Sequence, residues 1–231
     1  MLGFDPIYWE LMLPALILAG IATLVTKATF SKYSRVRASS GLTGAEAAQQ
    51  LLLSQGLSNV RIEPTRGFLS DHYDPTSRTL RLSPEVYGSS SLSAIGVACH
   101  EAGHALQHAA HYAPLALRTG LVPLAQFGSN AAYIFLLLGF WMKTLFLVKI
   151  GAMVFVGVVL FSLVTLPVEW DASARAKRLM VTAGIVRPQE AAQAGAVLNA
   201  AFMTYVAAAV SAILTLLYYL LRAGLLGGRR S

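Results

Sequence analysis

Four stretches of about twenty residues that are almost free of charge constrain this chain more than any other feature. They run from about Ile7 to Thr26, Leu121 to Met142, Ile150 to Val168 and Met203 to Leu221. A bilayer core is about 30 Å thick and an α-helix rises about 1.5 Å per residue, so each stretch is long enough to cross it as a helix. Composition agrees. Of 231 residues, 55% are hydrophobic and 13% are charged, with a mean hydropathy of +0.58, a balance that excludes a disordered chain and an ordinary soluble globule. The first stretch lacks the basic flank and small-residue cleavage site of a secretory signal, and it reads as a retained anchor.

A formal charge of +7 could suggest nucleic acid, but the charges sit at the ends of the apolar runs, where Lys and Arg mark the cytoplasmic side of a span. Lys27, Lys32, Arg35 and Arg37 follow the first run, whereas Asp5 and no base precedes it. The expected partner is therefore a lipid bilayer and not nucleic acid, with the N-terminus outside and the next region in the cytoplasm. In a four-span topology Arg222, Arg229 and Arg230 would then lie outside, against the same rule. Cys99 is the single cysteine, which excludes an internal disulfide framework and a Cys-based zinc finger and leaves His and carboxylates as metal donors.

The pattern divides the chain into an anchor over 1–30, a small α+β unit over 31–120, a transmembrane helical hairpin over 121–168, a further helix over 169–187 and a C-terminal helix and span over 188–231. Within the second segment, Thr43 three residues before Glu46 predicts a capping box opening a helix that ends near Gly56. Asn59–Glu63 is β-like. Gly67–Tyr73 and Arg78–Ser83 flank the turn signal Asp74-Pro75-Thr76-Ser77 and predict a hairpin. A helix follows from Ser91 or Ser93 to about His111. Pro188 sits where a helix start tolerates proline, and Trp141, Tyr218 and Tyr219 suit an interfacial aromatic belt.

The helix after Ser91 carries His100-Glu101-Ala102-Gly103-His104. Two histidines four residues apart share one helix face and can reach one zinc ion, while the intervening Glu can contact its bound water. Zinc lowers the pKa of bound water from about 15.7 to about 7, and a carboxylate beside it can take the proton and pass it to a leaving amine. The bland alternative is a helix with two surface histidines, but small apolar residues surround the motif, and two His and a Glu buried among them need a partner.

A catalytic zinc takes a third protein ligand. The metzincin arrangement fails, because Ala110 stands ten residues after His100 and Gln107 occupies the expected Gly position. His108 and His111 read as interfacial or solvated, since three donors from one straight helix do not surround a tetrahedral ion, and Cys99 reads as buried packing. Glu169 and Asp171 are the only acids between Glu101 and Glu190, and acids at the end of an apolar run are costly without a partner. Two crossings separate His104 from Glu169, which returns the chain to the same face and lets Glu169 approach the ion. His72, Tyr73 and Arg175 are, by chemistry alone, candidates to stabilise a tetrahedral oxyanion. Packing or ion pairing is the competing role of each. The hairpin edge could pair with an extended substrate, or serve the fold alone.

His100-Glu101-Ala102-Gly103-His104-Ala105-Leu106-Gln107-His108, Leu166-Pro167-Val168-Glu169-Trp170-Asp171-Ala172-Ser173, Asp71-His72-Tyr73-Asp74-Pro75 and Val197-Leu198-Asn199-Ala200-Ala201 together resemble the YugP-like family of membrane-bound neutral zinc metallopeptidases over almost the whole chain. Trp170 stands where that family usually has Phe. The resemblance implies a zinc-dependent peptidase of the bacterial membrane, with one zinc ion per chain on His100, His104 and a downstream acid and with Glu101 as catalytic acid/base. A more distant similarity to HtpX-type proteases favours Glu169 as the ligand. Those proteases carry Asp where this chain has Ser173, which leaves Asp171 as an outer partner or an alternative ligand.

The expected architecture is a mostly α membrane protein of about four transmembrane helices with a small α+β zinc-peptidase unit. The expected function is hydrolysis of a protein or peptide substrate, by an endopeptidase, at the cytoplasmic membrane surface. The rivals are an idle scaffold or chaperone with a structural metal, which would have no use for Glu101, and an ion-coupled transporter, which would need paired charges within several spans.

Overall fold

The computed structural model describes residues 5–67 and 70–225. The elements in chain order are α1 (Pro6–Tyr33), α2 (Gly44–Ser54), β1 (Arg61–Pro64), β2 (His72–Asp74), β3 (Thr79–Leu82), α3 (Pro84–Tyr87), α4 (Leu92–Ala109), α5 (Ala113–Trp141), α6 (Leu145–Thr182) and α7 (Pro188–Arg222). The protein is mostly helical, as the sequence predicts, and α1, α5, α6 and α7 are long and apolar enough to cross a membrane.

Contacts divide the chain into two compact units. One is formed by the described residues up to Ala22, by Leu117–Leu166 and by those from Thr204 onward; the other is formed by Thr23–Ala116 and Pro167–Met203. In the first, Ala132, Phe155, Val159 and Ala212 form a small core. A Cβ on Gly151 would meet the Ala132 carbonyl at 3.0 Å, so glycine there permits close backbone approach of α5 and α6. Large apolar side chains point outward, Phe127 being 73% exposed and Met153 75%. This is the reverse of a water-soluble surface and suits hydrocarbon.

The second unit holds the main core. Ala47, Ala48, Leu51 and Leu52 form one buried stripe of α2, packed with Leu80 and Leu82 of β3, Ile95 and Ala98 of α4, Met180 of α6 and Val197 of α7. Helix α2 begins with the predicted capping box. The Thr43 hydroxyl accepts from the Glu46 N–H at 3.3 Å, and the Glu46 carboxylate accepts from the Thr43 N–H at 2.8 Å. The sheet has the order β1-β3-β2, with β3 parallel to β1 and antiparallel to β2. The β2–β3 hairpin closes through Asp74, whose carboxylate accepts from the Thr76 N–H, the Ser77 hydroxyl and Arg81. The hydroxyl and the guanidinium hold that carboxyl well below its usual range.

Several sequence expectations change in detail. Strand β2 begins at His72, so Gly67, Ser70 and Asp71 of the predicted strand are irregular, and Phe68 and Leu69 lie outside the described residues. Strand β1 is shifted to Arg61–Pro64. Helix α5 starts well before Leu121. No helix begins near Val168; α6 passes through Pro167 without a break, although proline removes a backbone donor and normally disrupts a helix interior. Of the aromatic trio only Trp141 is broadly exposed. Tyr218 donates to Asp5 at 3.0 Å, and Tyr219 packs against Tyr133, Phe140 and Phe155. Arg222 pairs with Asp5 at 3.1 Å, which offsets the charge that conflicted with the topology rule; Arg229 and Arg230 lie outside the described residues.

Candidate metal centre

Ser91 caps α4, its hydroxyl accepting from the Ala94 N–H at 3.3 Å. The helix then presents small residues to its neighbours, and this decides how near α6 can come. A Cβ on Gly103 would stand 2.6 Å from the Ala172 carbonyl, a separation real side chains do not adopt. Glycine at the fourth position of the His-Glu motif therefore lets the backbones of α4 and α6 touch, and it brings Glu169 against the two histidines.

His100 and His104 lie one turn apart on α4 with their rings 4.8 Å apart and inclined at 83°. Glu169 reaches between them from α6. Its Oε2 is 3.1 Å from His100 Nε2 and its Oε1 is 3.6 Å from His104 Nε2. One donor atom from each of the three residues falls within 4.8 Å of the others. Zinc bonds of about 2.0–2.2 Å arranged tetrahedrally place ligand atoms roughly 3.3 Å apart, and the two measured separations bracket that spacing. The donor set of two imidazoles and one carboxylate fits zinc by both chemistry and size.

The opposite ring nitrogens are also held. His100 Nδ1 lies 3.0 Å from Ser173 Oγ, and His104 Nδ1 lies 3.0 Å from Gln107 Oε1. Both Nε2 atoms are thereby directed at Glu169. Burial opposes a charge on His104, but the Glu169 carboxylate, with a contribution from Glu101, more than compensates and holds its pKa above the ordinary imidazole value.

Asp171 does not join the three-donor set. It pairs with Arg175 at 2.6 Å and accepts from the Gln107 side-chain N–H at 2.9 Å. On a helix, residues two apart diverge by about 200°, so one acid facing α4 excludes the other from that face. Glu101 lies between the histidines in sequence and is half-buried; its charge also acts on Asp71, whose carboxyl burial pushes above its usual range while it accepts from the Ser83 N–H at 2.7 Å.

The remaining candidates have other partners. His72 is exposed on the edge strand β2, and its Nδ1 lies 2.8 Å from the Ser70 carbonyl. Tyr73 bonds His108 Nδ1 at 2.9 Å, so His108 is tied to the sheet. Arg175 holds Asp171 and lies over the Tyr112 ring at 5.9 Å. Cys99 is fully buried, its thiol pushed up to about 12 by burial, which leaves it an inert packing group. Sequence reasoning overlooked Gln107 and Ser173 as histidine partners. Their helical offsets, three residues after His104 and four after Glu169, were the available signal.

Four helices long and apolar enough to cross a membrane accompany a His, His, Glu cluster able to hold a metal ion, and comparison with known sequences gives the family. The chain belongs to a zinc peptidase family, described as "Putative neutral zinc metallopeptidase", whose pattern matches residues 8–224. It is 46% identical over 211 residues to the "Putative membrane protease YugP" of Bacillus subtilis (strain 168), covering 91% of this chain and 94% of that protein. No solved structure matches.

The close contact at Gly103 yields a direct expectation. Gly103→Ala forces α4 and α6 apart or strains them, so it should destabilise the detergent-solubilised protein by about 1–3 kcal/mol and weaken zinc uptake. Thermal unfolding and metal analysis check both.

Proposed function

We propose that the protein is a membrane-bound, zinc-dependent endopeptidase that hydrolyses peptide bonds of protein or peptide substrates at the cytoplasmic face of the bacterial membrane. The observation that carries this reading is the convergence of His100 Nε2, His104 Nε2 and the Glu169 carboxylate while Glu101, on the same helix as the histidines, stays outside the set. His100, His104 and Glu169 would hold the ion. When bound, zinc polarises a carbonyl and acidifies water. Glu101 takes the proton of the attacking water on its carboxylate and returns it to the leaving nitrogen, so that C–N cleavage yields a carboxylate and an amine. The two imidazoles keep their orientation throughout, held by Ser173 and Gln107.

A structural metal site would need only the three donors. Glu101 is then without purpose, whereas a peptidase needs a base at that position. A coupled transporter would place ionisable groups along its spans; here the acids Glu169 and Asp171 join α4, Gln107 and Arg175 instead. The family membership and the relative's description as a membrane protease support the peptidase reading. Arg175 and Tyr73, engaged by Asp171 and His108, act in it as supports of the site, and His72 on the sheet edge is the most accessible of the three candidate oxyanion donors.

Purified protein should bind about one zinc per chain and lose proteolysis reversibly on chelation. Glu101→Gln should keep the metal and abolish turnover of a peptide library, while His100→Ala, His104→Ala and Glu169→Ala should lose both. Full activity in Glu101→Gln overturns the assignment. For orientation, Ser40→Cys and Arg178→Cys, both exposed, should react with an impermeant maleimide only from the cytoplasmic side; reaction of either from outside reverses the proposed placement of the site.

A further inference from the structure

Gln107 is fully buried on α4, and its side chain makes three contacts whose chemistry fixes its orientation. The side-chain nitrogen lies 2.8 Å from the Val168 carbonyl oxygen and 2.9 Å from Asp171 Oδ2, and the side-chain oxygen lies 3.0 Å from His104 Nδ1. A carbonyl oxygen can only accept. Asp171, in a 2.6 Å ion pair with Arg175, is a carboxylate and also only accepts. The Gln107 amide must therefore turn both N–H groups toward α6 and its oxygen toward His104. An amide oxygen only accepts, so His104 must carry a hydrogen on Nδ1, and in the neutral ring this leaves Nε2, the nitrogen toward Glu169, as the one without hydrogen.

We infer that Gln107 is a positioning residue that fixes the tautomer of His104, with Asp171 and the Val168 carbonyl holding Gln107 in place. Arg175, 2.6 Å from Asp171 Oδ2, completes the chain. Asp171 thus reaches a ligand histidine only through an intermediary, although it stands two residues from Glu169. The arrangement uses the geometry of α6: Glu169 and Ser173 are one turn apart and meet the histidines, whereas Asp171 meets Gln107. The inference rests on the zinc reading for its consequence, since an imidazole bearing hydrogen on Nδ1 presents Nε2 as the metal donor.

The test uses the full-length protein in detergent, labelled with ¹⁵N-histidine. Long-range ¹H–¹⁵N spectra of the unmutated, metal-free protein at pH 9 should show His104 with its hydrogen on Nδ1. In Gln107→Leu, which keeps bulk but removes the amide, His104 should shift toward the Nε2–H form, and affinity for zinc alone, measured by chelator competition, should fall about 10- to 100-fold at unchanged helical content. A purely structural glutamine would leave the tautomer unmoved. Hydrogen on Nε2 with none on Nδ1 in the unmutated protein, or zinc affinity and tautomer in folded Gln107→Leu equal to those of the unmutated protein, overturns the inference. If Gln107→Leu does not fold, the spectrum of the unmutated protein still decides. If the unmutated protein takes up no zinc, the peptidase reading fails, while the tautomer decides this inference separately.

Discussion

A carboxylate that is 1% exposed, as Glu169 is, cannot remain among apolar neighbours without groups that stabilise its charge. That requirement organises the second unit. It needs two histidines at a spacing that places both imidazoles on one helix face, and it needs α6 to come close enough to α4 for a side chain of three bonds to reach them. Gly103 lacks the Cβ that would stand 2.6 Å from the Ala172 carbonyl. The apolar residues around the contact, Ala98 and Ala102 on α4 and Ala172 and Ala176 on α6, are small for the same reason: bulk on either helix would separate the donors. The same low-polarity surroundings that make the bare carboxylate costly strengthen its attraction for a cation.

The geometry of α6 explains why two neighbouring acids take different roles. Successive residues turn by about 100°, so Glu169, Ala172, Ser173 and Ala176 form one stripe and Asp171 lies on the other side. The stripe supplies, in order, the carboxylate that faces both Nε2 atoms, the backbone that packs on Gly103, and the hydroxyl that meets His100 Nδ1. The whole stripe lies on the part of α6 that belongs to the second unit, after Pro167.

Much of this was legible in the sequence because it depends on local periodicity. The apolar runs, the Thr43–Glu46 cap, the turn at Asp74 and the pairing of His100 with His104 all follow from spacings within one element. Glu169 was accessible by a topological argument from the even number of crossings, whereas the sequence left Asp171 as an outer partner or an alternative ligand. What escaped was set by contacts between distant segments. Gln107 looks like an unremarkable polar residue until Val168 and Asp171 are placed beside it. The parallel pairing of β1 with β3 depends on residues 18 positions apart, Arg61 with Thr79, and no local pattern encodes it. The passage of α6 through Pro167 ran against proline's own preference and required the flanking packing to override it.

Charge placement shows the same contrast at the ends of the apolar helices. Counting basic residues put Arg222 on the wrong side of a four-span topology, and the count treats every arginine as a free charge. Arg222 is not free, because Asp5 lies 3.1 Å away and also accepts from Tyr218. The two acids at issue in this chain, Asp5 and Asp171, each bind an arginine from a helix and a second polar side chain, Tyr218 in one case and Gln107 in the other. The asymmetry around α1, where Lys27, Lys32, Arg35 and Arg37 follow the apolar run and only Asp5 precedes it, is the signal on which the proposed cytoplasmic placement of His100 and His104 rests.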